Sequence, residues 1–218
     1  MKNPAQSYYS RWANVYDFIA KNFPYISRIR QDAIDLLSIS SGDIVVDIGC
    51  GTGLNLPLLA DEVGPKGTVI GVDFTPELVS IAQRRVAPFD HVHVLIGDIE
   101  NLPCSGQVDV IFGSFVMGMI SNTETVPRLK SLLNENGTLG FLDAYGKHFG
   151  WTSPSDRLFS YWVYLSLPTP SRSISPPIAL GQLDQRIKTH HAQLCHREKM
   201  KSTKQYLYGY IRFTSVTV

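Results

Sequence analysis

Residues Val45 to Leu59 read VVDIGCGTGLNLPLL, an apolar, β-branched run that turns through three glycines into a helical pattern. Gly49, Gly51 and Gly53 let the backbone bend tightly and leave no side chain between the bend and a ligand. The first amides of the following helix point toward whatever lies above them. A dinucleotide fingerprint has the spacing G-x-G-x-x-G/A. Its third position here is Leu54, and the chain has G-x-G-x-G instead. Asp47 stands two residues before the first glycine, inside the strand end, where a pyrophosphate would be repelled. A carboxylate there suits the organisation of the loop, an amino group or a water.

Outward from this stretch one phrase repeats between Asp43 and Asp143: a short apolar run, a turn, then a helical pattern. The expected strands begin at Ile44 (IVVDIG), Gly67 (GTVIGVD), His91 (HVHVLIGD), Val108 (VDVIFGS) and Gly137 (GTLGFLDA). Runs so short and so apolar suit strands buried on both faces. The fifth alternates more and reads as lying nearer an edge. Ile26, Ile29, Ala33, Leu36 and Leu37 mark one face of a helix before Ser41-Gly42. Thr75-Pro76-Glu77 reads as an N-cap, an N1 proline and an acid at the positive helix end. Pro127 fits the first turn of a helix starting near Asn122 or Thr123. Alternation of strand and helix implies an α/β fold, a parallel sheet with helices on both faces. Beyond Gly146 come an aromatic stretch, WTSPSDRLFSYWVYL, and a proline- and serine-rich loop. Leu183, Ile187, His191 and Leu194 then form a helical stripe, and YLYGYIRFTSVTV closes the chain as a strand.

Asp73 ends the second strand and Asp98 follows the third. In an open α/β sheet both fall on the carboxyl edge that also carries the glycine bend, where such sheets bind ligands. An acid after the second strand can accept two hydrogen bonds from ribose hydroxyls, and one a strand further can accept from an adenine amino group. The constellation suits an adenosine without phosphates. Taken singly, each acid is equally well explained as a turn or cap residue.

VDIGCGTG, GVDFTPELVSIAQRR, GDIENLP, VDVIFGSFVM and LLNENGTLGFLD resemble the successive motifs of the class I S-adenosylmethionine-dependent methyltransferases. The resemblance covers roughly residues 40–145, and YYSRWANVYD near the start is similar to the entry segments of ubiquinone/menaquinone C-methyltransferases and phospholipid N-methyltransferases. It implies a Rossmann-like, doubly wound, mostly parallel seven-stranded sheet with a small C-terminal cap. The division that follows is an N-terminal lid and first helices over 1–40, a cofactor-binding core over 41–145, a cap over 146–198 and the last strand or strands over 199–218. The implied cofactor is S-adenosyl-L-methionine, leaving as S-adenosyl-L-homocysteine. The family pattern sets Asp47, Gly49, Cys50, Gly51, Thr52 and Gly53 around its methionine part, with Tyr9 contributed by the entry segment. It sets Asp73 on the ribose, Phe74 against the adenine, Asp98 and Ile99 at the adenine edge, and Ser114 and Phe115 beside the sulfonium.

Composition narrows the partner. Hydrophobic residues make up 44% of 218 and charged ones 18%, enough for a sizeable core, and the net charge of +1 gives no field suited to nucleic acid. The mixed-sign segments RQDAIDLLSIS and QRRVA read as solvated helix faces. The stretch FGSFVMGMI after the fourth strand lacks the Asn/Asp-Pro-Pro-aromatic run of nucleobase amino-methyltransferases. It is apolar instead: of Phe112, Phe115, Met117 and Met119, two are expected under the sheet and the others at the floor of a substrate pocket. Cys50, Cys104 and Cys195 are too scattered for a disulfide scaffold, and Cys50 reads as loop filler. No histidine pair has metal-ligand spacing beside a carboxylate, so no metal is expected. Without a signal peptide or an apolar run of membrane length, the expected address is the cytoplasm.

The chemistry expected is methyl transfer to a small molecule or lipid head group, with room for peripheral membrane contact and an open oligomeric state. Tyrosines flank the core: Tyr8, Tyr9 and Tyr16 before it, and Tyr161, Tyr164, Tyr206, Tyr208 and Tyr210 after it. Such rings hold a sulfonium or methylated ammonium by cation–π attraction, or serve as amphipathic rim residues. Trp12 and Tyr16, at helical spacing, suit one face of a lid, and Trp151 and Trp162 suit anchors of the cap. Among catalytic candidates Tyr16 and His191 stand first, with His190 and His196 near the latter, while Asp143 reads equally as structural or substrate-facing. The alternatives are a non-catalytic cofactor-binding sensor or subunit with the same fold, and a dehydrogenase on a related sheet.

Overall fold

The computed structural model describes residues 25–102, 108–144, 176–196, 198–207 and 210–218, with positions 17, 18, 21, 154, 157 and 158 besides. Helix α1 (Ile26–Asp35) leads into β1 (Ile44–Ile48), and α2 (Leu56–Val63) follows the glycine bend. Then come β2 (Thr68–Asp73), α3 (Pro76–Val86), β3 (Val92–Ile96), β4 (Val108–Ser114), α4 (Thr125–Ser131) and β5 (Leu133–Ala144). Helix α5 (Pro176–Cys195), β6 (Lys199–Tyr206) and β7 (Ile211–Thr217) complete the order. Short 3-10 turns at Ile99–Asn101 and Met117–Met119 follow β3 and β4.

The seven strands form one sheet in the order 3-2-1-4-5-7-6. Strands β1 to β5 run parallel, and β7 enters antiparallel between β5 and β6. Order reverses at β1, so the crevice between the ends of β1 and β4 is the topological switch point.

Two strand expectations change. The closing segment is not one strand: it holds the end of β6, a turn near Tyr210, and β7, because a hairpin lets both pair in register. β5 is interior, not near an edge, and its last eight residues, Gly137 to Ala144, are all buried. The edges belong to β6 and to β3, where Val92 and Val94 are buried while His93, Leu95 and Ile96 are exposed.

Helices α1, α2 and α3 touch one another on one face, and α4 and α5 touch on the other. Alternation along β7 separates the layers. Phe213 lies beside Gly140 and Leu37 at the end of α1, whereas Thr214 meets His191 of α5. The α5 stripe is buried as the spacing requires, with Leu183, Ile187 and Leu194 in the core. Pro76 is in the first turn of α3, but Thr75 makes no side-chain cap; its amide is held by Asp73 instead.

Both basic segments read as solvated faces contain an exception. Arg30 is only 7% exposed, inside the apolar stripe of α1, and Arg85 of α3 is half-buried. Each has partners that reward leaving solvent, described below.

Phe213 has no exposed surface and packs in the layer between β7 and α1. Phe213→Ala is expected to cost about 3–5 kcal/mol, through lost transfer energy and the cavity left behind. A shift of the urea midpoint at unchanged slope checks it.

Candidate functional site

The site is the carboxyl edge around the switch point. Cys50 donates its amide to the carbonyl of Val72 (3.0 Å) and Gly53 donates to the carbonyl of Cys50 (2.9 Å), so the bend is stitched to β2 and to itself. Gly49, Gly51 and Gly53 have φ of 64, 55 and 78°, all in the left-handed region that glycine tolerates. The absent side chains serve packing as much as ligand space. A Cβ on Gly49 would lie 2.5 Å from Val116, and one on Gly53 would lie 2.9 Å from Ala82 of α3.

Asp73 closes the bend. Its Oδ2 accepts from the amide of Gly51 (3.0 Å) and its Oδ1 from the amide of Thr75 (2.8 Å). Burial pushes this carboxyl above its ordinary range, against the pull of the amides of Thr75 and Gly51. Each carboxylate oxygen keeps a second lone pair for a hydroxyl donor. Thr52 is buried, and its Oγ1 has no hydrogen-bond partner, a buried polar atom of the kind a ligand satisfies. Its carbonyl accepts from Nη1 of Arg85, whose Nη2 pairs with Asp17 of the N-terminal segment at 2.9 and 3.2 Å.

Asp47 is fully buried at the end of β1. Both its oxygens accept from Nδ2 of Asn55, each at 3.2 Å. Burial, only partly offset by Asn55 and by the charge of Arg30, raises this carboxyl to about 7. Asn55 holds the N-cap position of α2, but its side chain turns away from the helix. Its Nδ2 also donates to Ser114 Oγ (3.0 Å), and its Oδ1 accepts from Nη1 of Arg30 (2.5 Å). The same Nη1 donates to Ser114 Oγ (2.8 Å), and the guanidinium lies 5.5 Å from the ring centre of Phe115. Phe115 adopts φ of 58° and donates its amide to Leu142 (2.7 Å), so the chain after β4 is pinned to β5.

The remaining expected positions divide. Ser114 and Phe115 join Asp47, Gly49, Gly51, Thr52, Gly53 and Asp73 around the switch point. Phe74 is half-buried beside Asp73. Asp98 is exposed and accepts from the amide of Glu100 (2.9 Å), capping the 3-10 turn that begins with the half-buried Ile99. Glu100 in turn accepts from Ser121 and Asn122, tying the segments after β3 and β4 together. Cys50 is buried, and burial first, then the nearby Asp47 and Asp73, hold its thiol well above the ordinary range. Phe112 and Met117 enter the core, and Phe115 and Met119 stay partly exposed. Tyr9, Tyr16 and Trp12 lie outside the described residues, as do Tyr8, Tyr161, Tyr164, Tyr208, Trp151 and Trp162.

His191 is not brought to this edge. Its Nε2 lies 3.1 Å from Oγ1 of Thr214, which pairs with Phe141 in mid-strand. Burial and then the charge of Arg212 push its pKa down. His190 is buried, 3.2 Å from the carbonyl of Ile120. Asp143, at the end of β5, accepts from the amide of Met117 (3.3 Å) and is held far above the carboxylate range by burial. Among the described residues no three His, Cys, Asp or Glu groups gather as a metal site.

Sequence reasoning missed Arg30, Asn55 and Arg85. Arg30 had a signal: it falls at i+4 from Ile26 and i−4 from Ile34, inside the buried stripe. Asn55 at a helix start reads as an ordinary cap, which hides its other role.

A methyltransferase-domain family model matches residues 39–213. The arsenite methyltransferase of Halobacterium salinarum is 38% identical over 92 residues, 41% of this chain and 24% of that one. The demethylmenaquinone methyltransferase of Lactobacillus johnsonii is 29% identical over 119 residues, 52% of this chain and 49% of that one. The chain thus matches half or less of the length of these two relatives. A methyltransferase structure from Aquifex aeolicus shares the fold at a TM-score of 0.60 and 21% identity, covering 93% of this chain and 98% of that one. Matched over most of its length and built on the same sheet, the chain belongs to the methyltransferase-domain family, among the class I S-adenosylmethionine-dependent methyltransferases.

Proposed function

We propose that this chain transfers the methyl group of S-adenosylmethionine to a small molecule or lipid head group. One observation carries the proposal: Asp73, buried at the switch point, binds the glycine bend through Gly51 yet keeps lone pairs for two hydroxyls. Beside it stand the unpartnered Oγ1 of Thr52 and the left-handed Gly51, a cradle suited to a nucleoside with a short polar tail.

When bound, S-adenosylmethionine supplies a methyl group already activated by its sulfonium. Asp73 would hold the ribose, and Phe74, Asp98 and Ile99 would border the adenine. Asp47 would hold the methionine end together with the bend formed by Gly49, Cys50, Gly51, Thr52 and Gly53. Ser114 and Phe115 would flank the sulfur, and the family pattern adds Tyr9 of the entry segment. The chain's contribution is alignment and exclusion of water, which supplies up to about 7–11 kcal/mol in favourable systems. A dedicated base is not required for a neutral amine or a phenolate, and His191, half-buried against mid-strand Thr214, lies away from the switch point.

Arsenite and demethylmenaquinone, the acceptors in the relatives' names, are both small. The apolar stretch around Phe115 and Met119 suits an apolar or amphipathic acceptor, and the net charge of +1 argues against nucleic acid. No described helix is long and apolar enough to cross a membrane, and we place the enzyme in the cytoplasm, with peripheral membrane contact open to a lipid acceptor.

Incubation with methyl-labelled S-adenosylmethionine and fractionated cell extract should yield a labelled product extractable into organic solvent; label confined to macromolecules would overturn the assignment. Asp73→Ala should weaken S-adenosylhomocysteine binding by about 1–3 kcal/mol, since it removes the ribose acceptor and frees the amide of Gly51. Gly51→Val should weaken it further, because a left-handed φ costs an L residue about 1–2 kcal/mol before any clash. Calorimetry showing unchanged affinity in both variants would discredit the cradle.

A further inference from the structure

We propose that Arg30 is a positioning residue of the methyl-donor site, holding Asn55 and Ser114 in place and supplying the counter-charge to Asp47. The inference deepens the donor reading above and rests on it.

The geometry is a relay with one direction. Arg30 Nη1 donates to Asn55 Oδ1 (2.5 Å), and Asn55 Nδ2 donates to both oxygens of Asp47 (3.2 Å each). A cation on the carbonyl of an amide and an anion on its nitrogen polarise it the same way, so each bond strengthens the other. The amide cannot flip without placing its NH2 against the guanidinium and its oxygen against the carboxylate. Ser114 Oγ receives from both Arg30 (2.8 Å) and Asn55 (3.0 Å), which fixes the residue that leads into Phe115. The guanidinium over the Phe115 ring adds a second hold on that turn.

The spacing of α1 shows what the arrangement overrides. An arginine in an apolar stripe sheds its hydration, a cost recovered only where the charge is well paired. Here its partners reach from α2 (through Asn55) and from the end of β4, so α1 is fastened to the methyl-donor side of the sheet. Docking of this first helix and the shape of the crevice are therefore one event.

The charge has a consequence of its own. The groups facing Asp47 are Arg30 from α1, Asp73 from β2, Cys50 from the bend and the uncharged Asn55. Asn55 favours the ionised carboxylate that an ammonium group requires through its hydrogen bonds, and Arg30, the one cation among these described groups, favours it through charge. With Asp47 raised to about 7, part of it is protonated at neutral pH, and an ammonium seated against it expels that proton. Removing Arg30 raises the protonated share, so more protons leave per ligand bound.

The test is titration of S-adenosylhomocysteine at pH 7 in two buffers of different ionisation enthalpy, giving both affinity and protons released. The Asp47→Asn variant sets the baseline for the ligand's own amine. Above that baseline the wild type should release a fraction of a proton, and Arg30→Met a larger fraction, with affinity about ten- to a hundred-fold weaker. Arg30→Lys keeps the charge without the planar fork, so its proton count should stay near the wild type while affinity drops. This second variant decides the matter if Arg30→Met does not fold. Arg28→Met, exposed on the same helix, should match the wild type in both readouts. Weakened binding with an unchanged proton count in Arg30→Met would reduce Arg30 to packing and overturn the proposal, as would wild-type affinity in that variant. No binding by the wild type would instead sink the methyl-donor reading on which it rests.

Discussion

The structure is organised around a carboxylate taken out of water. Asp47 lies near the end of the interior strand β1 with no exposed surface, and an isolated buried charge costs several kcal/mol even after the protein relaxes. Three elements converge to make that position tenable. The bend after β1 supplies Asn55, β4 supplies Ser114, and α1 supplies Arg30. Because they bond one another as well, loss of one partner leaves the rest unsatisfied.

The glycine bend answers to two masters. Seen from the ligand side, glycines clear space above the loop. From below, Gly49 and Gly53 are needed because Val116 and Ala82 already occupy the positions a Cβ would take. Close approach of the bend to α3 and to the chain after β4 brings Asp73, Thr52 and Ser114 to one rim. The proposed ligand cradle is thus a by-product of tight packing beneath it, reinforced where Arg85 ties the carbonyl of Thr52 to Asp17.

Much of this was legible beforehand. The β-branched runs, the glycine spacing and the acids at strand ends led to the sheet and its switch point, since each depends on local rules of period and turn. What escaped depends on distant partners. β5 looked like an edge strand because Gly137, Thr138 and Gly140 interrupt its apolar run, whereas Gly140 is small to admit Leu37 and Phe213. The hairpin joining β6 and β7 was merged into one strand because β6, KMKSTKQY, is polar and mostly exposed, and offers no apolar signal. Arg30 and Arg85 were assigned to water by their charge. Their true surroundings come from residues 25, 84 and 68 positions away, which no local pattern encodes.

Cys50 sits within this rim, 6% exposed, with its thiol held protonated by burial and by two neighbouring carboxyl groups. Thiol chemistry runs through the thiolate, and a buried, protonated sulfur reacts slowly with oxidants and alkylating agents. The glycine bend therefore carries at its centre a cysteine whose surroundings keep it chemically quiet.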